Sequence, residues 1–230
     1  MKKVLALAVV ALLAFSSPAL AGLSAEVEAD IQFEKDMTVE IGGQEMEVEL
    51  ESQTYMAGVK LTIGDLQVTP LIGVWDSEIN ADSISIENTA GLALGFNAEY
   101  ALTSVDMVDL SLIGGYRFGD AEIDEVVINN TSVSMPLKSD VKLHEYELGI
   151  KATANLDLNM KPYVAVVWSD TLIDIDVEGF GTGLDADLDA DKNLGIRLGL
   201  VGNPTERLAI SIEGKLIDEK ALIATVKYGW

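Results

Sequence analysis

From Leu23 onward, apolar residues recur at every second position, the period of a β-strand and not the 3.6 of a helix. Leu23, Ala25, Val27, Ala29, Ile31 and Phe33 alternate with Glu26, Glu28, Asp30 and Gln32. Tyr55, Ala57, Val59, Leu61 and Ile63 form a second set, and Val68, Pro70, Ile72 and Val74 a third. The alternation continues through Leu92–Tyr100, Val108–Phe118, His144–Ala154, Met160–Trp168, Leu194–Leu200, Leu208–Leu216 and Leu222–Trp230. These sets predict about ten strands, with eight as the alternative.

The opposite faces are polar. They hold Glu28, Asp30, Lys60, Glu99, Arg117, Glu145, Glu147, Lys151, Arg197, Arg207, Glu213, Lys215 and Lys227. Two all-β architectures fit such strands: a soluble sandwich with its charges outward, or a transmembrane barrel with its apolar face on lipid and its polar face in the lumen. The connections separate the two. Segments 34–53, 76–89, 119–139 and 169–191 are predicted as long loops, whereas Gly64-Asp65, 101–106, 155–157 and Gly202-Asn203-Pro204-Thr205 are tight. Long and tight connections alternate, as they do in a barrel with extracellular loops and periplasmic turns. The predicted fold is an antiparallel up-and-down transmembrane β-barrel. Unpaired backbone groups in hydrocarbon cost several kcal/mol each, so the first strand must pair with the last. Pro70 and Pro162 each remove one ladder donor and are expected near a bulge or a strand end.

Composition sharpens this picture. Lys2 and Lys3 precede an apolar run from Val4 to Phe15, and Ala19-Leu20-Ala21 has the small-x-small form of a cleavage site. Residues 1–21 are therefore expected to be a signal peptide cut between Ala21 and Gly22, leaving 22–230 as one barrel domain. The apolar run is too short for a membrane-spanning helix, which needs roughly 20 residues. Cysteine is absent, which rules out disulfides and thiolate chemistry. The net charge of −23 repels nucleic acid. Of the 38 acidic residues, 23 fall in the four long segments, with only Lys35 and Lys138 beside them. Tyr55, Trp75, Tyr100, Phe118, Trp168, Tyr228 and Trp230 stand near strand ends, where amphipathic rings favour the headgroup level, although parity puts Trp75 on the lumen side.

Two hairpins resemble each other. Gly58-Val59-Lys60-Leu61-Thr62 turns into Thr69-Pro70-Leu71-Ile72-Gly73-Val74-Trp75, and Gly149-Ile150-Lys151-Ala152-Thr153 turns into Lys161-Pro162-Tyr163-Val164-Ala165-Val166-Val167-Trp168.

The chain ends on Leu222, Ala224, Val226, Tyr228 and Trp230 at alternate positions. From Gly22 to Trp230 it resembles the small outer-membrane β-barrel superfamily that includes the OmpA-like and OmpW-like barrels. In that family such an ending is an assembly signal, with Phe commoner than Trp at the last position. The resemblance implies export, periplasmic chaperones, the barrel-assembly machinery, and a place in the cell outer membrane among lipid and lipopolysaccharide. It implies no single activity, since fold and function are separable. Ten-stranded outer-membrane proteases of this group pair acidic residues with a rim histidine. The single histidine here, His144, falls on the lipid-facing side by parity, so no enzymatic activity is expected.

Within the lumen, Arg117, Arg197, Arg207, Lys60 and Lys151 are expected to pair with Glu28, Glu99, Glu145, Glu147 and Glu213. A salt-bridged interior in a monomeric structural barrel of the envelope is the expected function. The alternative is a narrow porin-like channel whose charges set ion selectivity, and a third reading is an extracellular ligand-binding or adhesion surface. Asp185, Asp187, Asp189 and Asp191 stand at every second position, but the Ca²⁺-loop signature fails at Ala190, and no resident metal or cofactor is expected. Divalent cations bridging the acidic loops to lipid phosphates remain as a partner class.

Overall fold

A computed structural model describes residues 23–41, 44–81, 84–128, 131–133, 139–156, 159–177, 184–190, 193–217 and 219–229. The expected signal peptide, its cleavage point at Ala21 and Gly22, and Asp191 and Trp230 lie outside the described residues. The strands are β1 (Leu23–Ile41), β2 (Gln44–Ile63), β3 (Leu66–Ala81), β4 (Ile84–Asn88) and β5 (Gly91–Val105). After them come β6 (Val108–Ile128), β7 (Thr131–Val133), β8 (Ser139–Ala154), β9 (Met160–Val177) and β10 (Leu184–Ala190). The last three are β11 (Leu194–Thr205), β12 (Leu208–Leu216) and β13 (Lys220–Gly229).

Ten of them form one closed antiparallel ring in the order β1, β2, β3, β5, β6, β8, β9, β11, β12, β13. Closure runs from Ser24 opposite Gly229 to Ile31 opposite Leu222, the pairing that the edge argument requires. The outward face carries Leu94, Phe96, Leu148, Val164, Val166, Leu198, Ile212 and Val226, all exposed. On a soluble protein so large an apolar belt would be a liability; around a closed barrel it is the lipid-facing band. Leu222, Ala224, Val226 and Tyr228 all lie on it.

The four segments expected as long loops are instead largely strand. β1, β2, β3, β6, β8 and β9 continue past the membrane band. There β4 inserts between β3 and β6, and β10 between β9 and β1, closing a second ring of eight strands. The physical reason is an inversion of the two faces. In β2, even-numbered residues from Val48 to Lys60 point inward. Within the band these include Thr54 and Lys60, with Tyr55, Ala57 and Val59 outside; beyond it, Val48 and Leu50 are buried inside while Glu47, Glu49 and Glu51 are exposed. Each extension thus has an apolar inner face to bury and an acidic outer face for water.

β1 reaches the same inversion by a bulge, a register shift between Gln32 and Lys35. Before it Glu26, Glu28 and Asp30 are buried; after it Lys35, Met37 and Val39 are. Pro162 lies near the start of β9, as expected. Pro70 sits inside β3, where pairing with β2 keeps one register on either side of it without a bulge.

Candidate functional site

The lumen has three layers. Outermost is an apolar core of the eight-stranded cap, built from Met37, Leu50, Trp75, Ile79, Val141 and Ile173 with their neighbours. Met37 and Ile173 are 0% exposed and Trp75 1%. Gly119 makes room for Trp75: a Cβ there would lie 2.7 Å from the indole Cε3. A largely salt-bridged interior was expected from the alternating charges. The upper third is mainly apolar instead, because most inward positions of the extensions are Met, Val, Leu, Ile and Ala, with Ser77 and Ser139 among them.

Beneath the cap lies a connected network of charges. The Arg117 guanidinium donates to Glu28 at 2.7 Å, to Asp30 at 2.5 Å and to Glu145 at 3.4 Å. Lys215 lies 2.6 Å from Glu219, 3.3 Å from Asp30, 3.4 Å from Glu147 and 3.6 Å from Glu145. Arg197 bonds Glu147 and lies 3.4 Å from Glu213, which also accepts the Tyr163 hydroxyl at 2.6 Å. Lys35 closes the top, donating to Thr171 Oγ1 at 2.8 Å and lying 3.4 Å from Glu219. Glu145, Glu147 and Glu219 offer ligand oxygens within 4.8 Å of one another. The Lys215 ammonium already sits among all three, and Arg117, Arg197 and Lys35 each add a further positive charge against one of them.

Six of the ten residues expected in the lumen network, Glu28, Arg117, Glu145, Glu147, Arg197 and Glu213, meet here. Lys151 and Glu99 form a separate pair at 2.5 Å closer to the tight turns, and Lys60 stands near them. Arg207 does not belong: it sits exposed in the turn between β11 and β12, one residue before the alternation of β12 begins. Lys215 and Asp30 were legible by parity. Lys35 and Glu219 were not, since one is turned inward by the bulge and the other by the turn after β12. In that turn Ile217 has φ 88°, a strained value for a β-branched residue, held by the contacts of Glu219 with Lys215 and Lys35.

Below the network the lumen opens toward the tight turns as a vestibule. A mouth of about 630 Å³ leads to a deeper pocket of about 150 Å³, and both are lined by Lys60, Glu99, Lys151, Tyr163 and Lys227. At the rim, outside the membrane band, hydrogen bonds from Asn155 and Ser104 hold the Asp109 carboxyl below the usual carboxylate range.

His144 lies on the outer face. Its Nδ1 is 2.9 Å from the Tyr116 hydroxyl, its Nε2 is 3.9 Å from Asp174, and its ring packs against Phe118 at 5.1 Å between centroids. With Tyr146 and Phe96 these rings form an aromatic cluster at the outer edge of the lipid-facing band.

No protein-family model matches the chain. No curated protein matches its sequence. Among solved structures, the outer membrane protease OmpT from Escherichia coli matches with a TM-score of 0.52 and 9% identity, over 90% of this chain and 96% of that one. The translocator domain of the autotransporter NalP from Neisseria meningitidis matches with a TM-score of 0.51 and 12% identity, over 100% of this chain and 96% of that one. At such identities the likeness is one of fold. The fold is that of an outer-membrane β-barrel, and the apolar belt around a closed ring places the chain in that membrane.

Proposed function

We propose that this chain is a non-conducting structural barrel of the outer membrane, shut on its extracellular side by its own cap. The observation that carries this reading is the apolar core in which Met37, Ile173 and Trp75 are almost wholly excluded from solvent. Ions crossing the lumen would have to pass that layer, and hydrocarbon surroundings without polar partners oppose a bare charge strongly. Charges in the middle layer are paired, so they act as a polar packing layer and not as a conduction path. Lipid and lipopolysaccharide around the belt, and the assembly machinery acting on the β13 signal, are the partners this role needs, and the barrel works as a monomer. The family reading as an OmpA-like or OmpW-like barrel rests on the terminal strand alone.

A catalytic role is not part of this proposal. His144 contacts a tyrosine and lies near an aspartate on the lipid side, remote from the vestibule, and its ring is accounted for by the aromatic cluster.

Single-channel recording tests the proposal. The refolded chain, shown to be folded by heat-modifiable gel mobility, should leave a planar bilayer silent over a range of salt. Discrete, reproducible conductance steps would sink it and return the narrow-channel reading.

A further inference from the structure

The vestibule has one feature that a purely structural barrel does not require. Three lysines, Lys60, Lys151 and Lys227, converge on it from β2, β8 and β13. Of the carboxylates on its wall, Glu28, Glu147 and Glu213 are held by Arg117 and Arg197, and Glu26 and Glu99 by two of the lysines. Lys151 has Glu99 at 2.5 Å, and Lys227 has Glu26 at 3.1 Å. Lys60 has neither: among the described residues its ammonium donates only to the neutral Gln67 Oε1, at 2.8 Å. Its electrostatic surroundings are the other two lysines and the two acids they hold. Lys161, on the wall of the mouth, has no carboxylate within 4.0 Å among the described residues either.

An ammonium without a direct acid partner is costly in a half-buried site unless something offsets it. Among the described residues, Lys35, Arg117, Lys151, Arg197, Lys215 and Lys227 each have a carboxylate within 4.0 Å, whereas Lys60 has none, although acids outnumber bases by 38 to 15 along the sequence. The repeated hairpins bear on this point. Lys60 and Lys151 occupy matched positions in the two similar segments, each two residues after a glycine whose place a Cβ could not share with the neighbouring strand. The same local design therefore delivers two ammonium groups to one cavity, and only one of them receives an acid.

We propose that the vestibule is a binding site, entered from the periplasm, for a small multivalent anion carrying carboxylate or phosphate groups. Lys60 is its principal contact and Lys161 assists at the mouth. The deeper charge network and the cap close the far end, so the ligand enters and leaves on one side. An anion of a few heavy atoms fits the 630 Å³ mouth, and Ser211 on its wall adds a hydroxyl donor. This site would be the same whether the barrel conducts or not, and its test is independent of conductance.

Isothermal titration of the refolded chain in detergent micelles provides that test, with citrate and inorganic phosphate as separate probes. Saturable binding of at least one probe is expected, weakening at least tenfold in Lys60→Gln, retained within about threefold in Lys60→Arg, and unchanged in Lys220→Gln, which alters an exposed lysine at the opposite end. Citrate binding alone would assign the site to carboxylates, and phosphate binding alone to phosphates. Heat-modifiable mobility confirms that each variant is folded. No saturable binding of either probe, or equal affinity in Lys60→Gln, overturns the proposal.

Discussion

Lys215 shows how much a single side chain can carry in this lumen. Its ammonium is within 4 Å of four carboxylates, those of Asp30, Glu145, Glu147 and Glu219, and its side chain is 3% exposed. Replacing it with methionine would leave those acids without their shared cation, and removing one partner of a buried ion pair costs about 3–5 kcal/mol. Lys215→Met should therefore unfold at clearly lower urea than the parent in micelles, followed by gel mobility. An unchanged midpoint would mean that water or a solute ion balances the cluster. Gly119 makes a packing argument of the same scale. A methyl group there must displace the Trp75 ring, and overpacking of this kind costs about 1–3 kcal/mol. Gly119→Ala should lower stability and shift tryptophan fluorescence, whereas Gly214→Ala, with open space around its Cβ, should do neither.

At the scale of strands, the membrane part was legible in the sequence and the cap was not. A period of two with apolar residues on one parity identifies ten strands and their closure, because lipid enforces the pattern without interruption. In the extensions the apolar parity changes. Val48 and Leu50 are even where Tyr55, Ala57 and Val59 are odd, and Met37 and Val39 follow a bulge. Reading a single apolar face to its end turns such a stretch into a loop. The signal was present in the acidic alternation of Glu45, Glu47, Glu49 and Glu51 around Met46, Val48 and Leu50, which a strand with a wet outer face demands. Lys35 and Glu219 were lost for the same cause, since a residue just past a bulge or inside a turn has no parity to assign. The bulge also makes a prediction. Deleting Phe33 would remove the extra residue, and the regular alternation from Gln32 through Glu34 to Lys35 would still turn Met37 and Val39 inward opposite Val48 and Met46. The cap should then resist protease in intact micelles as well as the parent does, with the band between Leu23 and Ile31 still paired with β13. Cleavage of the cap in the deletion variant would show that it depends on the bulge itself and not only on the phase.

Across the whole molecule, the acidic outer wall of the cap acts as one electrostatic object. Cross-strand register sets Glu51 opposite Glu78, Glu78 opposite Glu87, and Glu87 opposite Glu125, so a row of carboxylates follows the girth over four strands. A second row runs from Glu122 to Asp140 to Asp176. Like charges directly opposite each other destabilise a sheet, and the apolar core beneath must hold the cap against that repulsion. Two kinds of relief are physically distinct. Monovalent salt screens the rows with a Debye length of about 8 Å at physiological strength, somewhat longer than the spacing of adjacent strands. A divalent cation can instead sit between two carboxylates and bind them through oxygen ligands. If bridging dominates, millimolar Ca²⁺ or Mg²⁺ should raise the unfolding temperature of the cap more than NaCl at equal ionic strength, by roughly 2–4 °C for each kcal/mol of repulsion relieved. Charge-neutralised variants Glu78→Gln and Asp140→Asn should rise in stability without the cation and lose most of its further effect. Equal responses to the divalent salts and to NaCl would reduce the wall to a screened, solvated surface, and the divalent ions would then have no part in holding the barrel among anionic lipids.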